Sequence, residues 1–194
     1  MKHILFSLLL LASAGASAGV IGFDDLPGIE TAPIANGYQG FDWDNLGAIR
    51  ADAYPGSGYA AGAVSWANTA FNRDGGIAAI SRTGGFDFVG AFFTSAWLDQ
   101  ELAFDGYRNG QLRYSTATSY VLDTHTPLWI GLGWSGIDTL VIYNSSGTQW
   151  AMDEFTVPEP GSIALFGAAL AGLALSRKKM PARGSGQSPK LGMS

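Results

Sequence analysis

The sequence predicts an all-β fold, an antiparallel β-sandwich of jelly-roll-like form, and three observations carry that expectation. Between residues 19 and 156, short runs alternate apolar and polar residues at a period of two. Glycine, asparagine and aspartate separate those runs at turn-like intervals. No stretch there keeps a 3.6-residue period over about a dozen positions, as an amphipathic helix would need. Many short strands with turn signals between them are the signature of sandwiches and jelly rolls. An N-terminal signal peptide and a single C-terminal membrane-spanning helix are expected to flank this one domain.

The elements follow in chain order. Lys2 and His3 form a polar n-region, Ile4 to Ala12 an apolar core and Ala16-Ser17-Ala18 a small-residue cleavage site, so residues 1–18 read as a signal peptide cut after Ala18. Val20 to Phe23 opens the domain as a strand that stops at Asp24-Asp25-Leu26-Pro27-Gly28. Tyr54 to Tyr59, with Pro55, Gly56 and Gly58 between them, reads as an exposed loop. Phe86 to Phe93 is the strongest strand, with Phe86, Phe88 and Phe92 assigned to one face. In Glu101 to Tyr107, Leu102 and Phe104 point one way and Glu101, Ala103 and Asp105 the other. Asn109-Gly110 signals a type I′ hairpin into Gln111 to Ser115. Pro127 to Gly131, Thr139 to Tyr143 and Trp150 to Val157 supply three further strands, the last two joined by a turn at Asn144 to Gly147.

Charge and composition narrow the function. Residues 19–157 hold five arginines, no lysine and fifteen Asp or Glu, a balance of −10, whereas the whole chain carries −5 because its ends are basic. Such a domain repels phosphate backbones, which excludes nucleic acid as a natural partner and favours cations or uncharged ligands such as neutral sugars. The chain has no cysteine, so disulfides, thiol catalysis and zinc–thiolate sites are absent. His125 is the one histidine of the domain and falls in the turn Asp123 to Pro127, where it reads as a solvated loop residue.

Three groups of residues are candidates for chemistry. Asp24 and Asp25 end the first strand, and Asp153 and Glu154 lie in the last. If those strands are neighbours, the four acids converge from opposite ends of the chain and offer hard oxygen ligands to a structural calcium ion. Solvated strand ends and turn-capping aspartates are the plainer explanation. The second group is aromatic. Of six tryptophans, Trp43, Trp97 and Trp134 sit beside Asp, Asn, Gln or Ser and could stack on the faces of sugar rings, with core packing as the alternative. Third, Asp99 with Glu101, or Asp153 with Glu154, could be proposed as hydrolase carboxylates. Residues two apart on a strand share a face by geometry alone, and no nucleophile motif accompanies either pair.

The tail is the most specific feature. Val157-Pro158-Glu159-Pro160-Gly161-Ser162 leads into an apolar run, Ile163 to Leu175, and then Arg177-Lys178-Lys179. The two prolines keep their stretch extended and out of helices. Residues 162–176 as a helix would span roughly 22 Å at ~1.5 Å per residue. That is a thin membrane segment against a core of roughly 30 Å, and the basic cluster is expected to stop it on the cytoplasmic side. Residues 180–194, rich in Gly, Ser and Pro, read as a disordered tail. In this order, with Pro158, Glu159 and Pro160 matching one by one, residues 157–179 resemble the sorting signal of the PEP-CTERM family of exported bacterial proteins. The resemblance implies export, transient inner-membrane anchoring through the C-terminal segment and recognition by an exosortase-like enzyme, in bacteria that build extracellular polysaccharide and biofilm. The resulting expectation is an exported, non-catalytic surface or matrix protein that binds extracellular polysaccharide. The alternatives are a plain membrane-tethered structural or adhesion protein and, more distantly, a secreted glycoside hydrolase.

Overall fold

The period-two pattern folds into eleven strands that share one antiparallel sheet in the computed structural model, which describes residues 18–27 and 31–158. These residues lie within one compact unit, Ser17–Glu159. The strands are β1 (Ala18–Ile21), β2 (Thr31–Pro33), β3 (Asp42–Asp44), β4 (Leu46–Arg50), β5 (Asn68–Asn72) and β6 (Ala78–Ser95). They continue with β7 (Gln100–Arg108), β8 (Gln111–Ser115), β9 (Tyr120–Leu122), β10 (Leu128–Asn144) and β11 (Trp150–Pro158). Their order is β2-β4-β5-β11-β6-β10-β7-β8, with β1 beside β11, β3 beside β6 and β9 beside β7. The expected signal peptide, the apolar segment 162–176 and the tail 180–194 fall outside the described residues. Among the described residues no helix is long and apolar enough to cross a membrane.

The all-β, antiparallel expectation is met, and the hairpin at Asn109-Gly110 forms with both residues at positive φ (50° and 73°). The strands expected at 127–131 and 139–143 are the two ends of β10, which runs through Gly131, Gly133 and Gly136 with three register shifts against β6. β6 is likewise longer than the predicted 86–93. One of its edges pairs with β10 throughout, while the other serves β3 at residues 79–81 and β11 at residues 90–95. Between those stretches Arg82 to Gly85 bulge out, with Gly84 and Gly85 at φ 87° and 92°, where a side chain would be strained. Arg82 closes the bulge by donating from Nε and Nη2 to the Gly85 carbonyl at 2.9 and 2.8 Å. Its guanidinium also stacks over Phe41 and Phe86, 4.8 and 5.6 Å from the ring centroids.

Rings from β11, β6 and β3 meet in one core, although β11 and β3 do not pair with each other. Phe155 of β11 lies 5.6 Å from Phe41, 5.7 Å from Trp43 of β3 and 4.9 Å from Phe88 of β6. Phe86, Phe88, Leu102, Phe104, Leu140, Ile142 and Phe155 are all buried there. One expectation is corrected by register. Phe92 does not share a face with Phe86 and Phe88; it turns outward against Trp129, 5.1 Å away, and Phe93 is buried instead. The change of face falls between Phe88 and Ala91, where β6 lies opposite the register shift between Gly131 and Trp134 of β10 and close to the bulge at Glu154 of β11, whose φ is 51°.

A second correction concerns Tyr54 to Tyr59. Instead of an exposed loop, this segment leads into a five-residue helix, α1 (Gly58–Gly62), that caps the outward side of β5, β6 and β11. Tyr59 is buried with Ile49, Phe71, Ala96 and Ala151 in a small separate cluster. The approach is so close that a Cβ on Gly58 would lie 1.7 Å from the Ser95 carbonyl oxygen.

Because Phe155 joins β3, β6 and β11, truncation to Phe155→Ala is expected to cost about 3–5 kcal/mol. Urea denaturation followed by Trp fluorescence would measure the loss as a lowered midpoint at unchanged slope.

Candidate functional site

Of the four acids at the two ends of the domain, Asp24 and Asp153 share a partner, while Asp25 does not join them. β1 pairs with β11 from Ala18–Pro158 to Ile21–Phe155, which brings Asp24 and Asp153 to opposite sides of Ser65. Ser65 contributes its N–H to Asp153 Oδ2 at 2.8 Å and its Oγ to contacts of 3.0 Å with both carboxylates. The other Asp24 oxygen accepts the N–H groups of Ala67 and Asn68, the latter at 2.9 Å. Asp153 Oδ1 also accepts the Glu154 N–H at 2.7 Å. Asp25 turns away to accept from Tyr38 Oη at 2.6 Å and Gln39 Nε2 at 3.3 Å. These contacts make Asp24 and Asp153 anchors for the segment Ser65 to Asn68, while Asp25 is directed elsewhere. Among the described residues no group of three or more His, Cys, Asp or Glu side chains could hold a metal ion. Asp153 is fully buried, and that burial, with Asp24 beside it, pushes its carboxyl up to about 6 against the lowering pull of its hydrogen bonds. None of its surface is exposed to solvent.

The three tryptophans proposed as sugar-stacking rings go to three different environments. Trp43 is corrected outright: it is 3% exposed, donates from Nε1 to the Tyr38 carbonyl at 3.0 Å and packs on Phe23, Phe41 and Phe155. On β3 it alternates with Asp42 and Asp44, so the two acids that flanked it in sequence point the other way. Trp97 is half exposed beside α1, edge-on to Tyr54 and Tyr59. Trp134 lies in a β10 bulge, stacked on Tyr114 at 5.3 Å and pressed over Gly106, where a Cβ would lie 2.9 Å from the indole. These rings do not form one platform.

A better candidate is the outward face of β3, β6, β10, β7 and β8. Cross-strand pairing aligns two rows on it. Asp42, Ser81, Thr139 and Tyr107 form one; Asp44, Ala79, Val141, Asp105 and Ser115 form the other. Tyr143, opposite Ala103, donates to Asp105 Oδ2 at 3.1 Å, and Tyr107 donates to the same oxygen at 3.2 Å. The Tyr107 hydroxyl first, then burial and Asp105, raise the Tyr143 phenol well above its usual range, so it remains a neutral donor. At one end of the face, Glu101, Ala103, Ser119, Tyr143, Asn144 and Ser145 line an open depression of about 170 Å³. Glu101 is held there by the Ser119 hydroxyl on its carboxylate and by Ser145 on its backbone. The face therefore offers small residues at its centre, fixed carboxylate acceptors at its edges and two phenol rings. Asn144 of the sequon Asn144-Ser145-Ser146 donates its amide to the Gly75 and Thr148 carbonyls at 2.8 and 2.9 Å, which ties it into the turn. His125 is an exposed turn residue, its N–H bonded to Asp123 at 2.7 Å.

The family model of the PEP-CTERM protein-sorting motif matches residues 156–178. No curated protein matches the chain. The motif indicates an exported protein and implies an exosortase-type sorting system. Its first residues, Thr156, Val157 and Pro158, are the end of β11. Glu159, Pro160, Arg177, Lys178 and Lys179 lie outside the described residues.

Two measurements check the Asp153 anchor. Because the folded state raises this carboxyl above its ordinary value, its contribution is greatest when protonated and is lost as pH rises from about 4 through about 6. The wild-type melting temperature is expected to fall across that window relative to Asp153→Asn, which keeps an acceptor for Ser65 and should flatten the profile. Adding a chelator at pH 7 is expected to leave the melt unchanged.

Proposed function

We propose that this is an exported, non-catalytic surface or extracellular-matrix protein, delivered by its C-terminal sorting motif, that binds neutral extracellular polysaccharide on the outward face of β3, β6, β10, β7 and β8. The observation that carries the reading is the arrangement of Tyr107 and Tyr143 around Asp105, next to the Glu101 depression. Sugar hydroxyls donate to fixed carboxylates, and the flat C–H faces of sugar rings pack on phenols. A depression of about 170 Å³ is smaller than a typical closed ligand pocket of roughly 300 Å³ or more. It suits one ring of a longer chain whose neighbours lie along the open sheet. The balance of −10 on residues 19–157 favours uncharged over anionic polymers. Contacts such as Phe155 with Trp43 support reading the bent sheet as a two-layer, jelly-roll-like sandwich, which would make this face one exterior of the sandwich.

The spacing of the two carboxylates nearest the phenols supports a binding rather than a hydrolytic role for them. Glu101 and Asp105 are four residues apart on β7, roughly 14 Å at ~3.4 Å per residue. That exceeds the roughly 5–9.5 Å at which two carboxylates hydrolyse a glycoside. Membrane tethering before release, through residues 162–176, belongs to the same proposal.

Affinity electrophoresis through gels loaded with neutral polysaccharides should retard the wild-type domain. Tyr143→Ala and Glu101→Gln are each expected to weaken binding about tenfold, equivalent to about 1.4 kcal/mol, while Trp97→Ala leaves it unchanged. A wild-type domain that no polymer retards would sink the sugar-binding reading.

A further inference from the structure

The two ends of the domain that are expected to be processed are hydrogen-bonded to each other. Ala18 pairs with Pro158, Gly19 with Val157, Val20 with Thr156 and Ile21 with Phe155. On its other edge Thr156 pairs with Gly90 of β6, so it is an interior position of the sheet. Phe155 is fully buried, and Thr156 and Val157 are each 7% exposed. The sorting motif, matched from Thr156, therefore begins inside the folded sheet with no linker before it. A peptidase binds its substrate as an extended strand with free backbone groups. Thr156 and Val157 have none to offer while β1 is in place.

Cleavage after Ala18 changes this boundary by one residue. Gly19 becomes the first residue and keeps its pairing with Val157, whereas Ala18, the partner of Pro158, leaves with the signal peptide. Pro158 has no N–H and, once Ala18 is gone, no cross-strand partner in β1. We infer that β1 acts as a stop for C-terminal processing: it withholds Thr156 and Val157 from the sorting enzyme, and removal of the signal peptide releases the chain from Pro158 onward. The segment that can be read thus starts at Pro158, and hydrolysis leaves a carboxylate on a domain that ends at or beyond Pro158, with a new amino terminus on the released piece. N-terminal processing precedes C-terminal processing in this order. The inference rests on the sorting reading but not on sugar binding.

The test has two arms, each read by intact-mass spectrometry. In the first, chain lacking residues 1–18 is treated in detergent with a broad-specificity protease. The resistant wild-type fragment should end at or beyond Pro158. Val20→Pro, which disrupts the ladder at a residue 54% exposed, should shift that end upstream of Thr156, and Val20→Thr should not. A wild-type fragment ending at Phe155, Thr156 or Val157, or a Val20→Pro fragment identical to wild type, overturns the stop. In the second arm, protein recovered from its native host should end at or beyond Pro158, and a host product ending upstream of it also overturns the stop. A host product intact through Ser194 would instead refute processing at the sorting motif, and the protease arm would still decide whether β1 protects β11.

Discussion

Phe155 is where aromatic rings from three strands meet, and the core depends on that contact. Its ring meets Phe41, Trp43, Phe86 and Phe88, so one side chain of the last strand ties together β3, the part of β6 that follows the Arg82–Gly85 bulge, and β11. A cysteine-free exported domain has no covalent alternative to such a core. Edge-to-face aromatic pairs add about 0.5–1.5 kcal/mol each beyond the area they bury. Arg82 reinforces the same point from outside the cluster, closing the bulge while covering Phe41 and Phe86.

Once that core is set, the surfaces sort themselves. Residues facing the Phe155 cluster are apolar, so their strand neighbours face outward: Asp42 and Asp44 around Trp43, Ala103 and Asp105 around Phe104. The proposed polysaccharide face is the complement of the core rather than a separate invention of the sequence. Elsewhere the outward side is not left open. α1 covers β5, β6 and β11 with Tyr59, and the Ser65 anchor fastens the chain that follows it to Asp24 and Asp153. The same pairing of first and last strands that serves the anchor also sets the start of the sorting motif against β1.

Much of this was legible in local pattern. The alternation in Glu101 to Tyr107 put Leu102 and Phe104 inside and Glu101, Ala103 and Asp105 outside, which is half of the candidate face. What it could not supply was Tyr143, because the partner of Ala103 depends on the register of β10 through three irregularities. Trp43 shows the converse failure. Its acidic neighbours made it look like a sugar-binding ring, yet on a strand adjacent residues face opposite sides, so acids at 42 and 44 are what a buried Trp43 requires. Phe92 was misassigned because β6 changes face after Phe88, beside register shifts against β10 and β11 that its own sequence does not signal. Ser65 carried no signal at all; its role comes from two aspartates far from it in the chain.

The sequence by itself determined the secondary-structure class, the acidic and disulfide-free character of the domain, the hairpin at Asn109-Gly110 and the sorting motif. Each of these is written in a few adjacent residues or in bulk composition, where turn chemistry, period and charge act locally. Only the tertiary structure decided which aromatic rings are core, which carboxylates are anchors and which are exposed, and that the sorting motif begins inside the sheet. Those outcomes depend on register across strands far apart in sequence, and one inserted residue in either partner reverses every side chain beyond it.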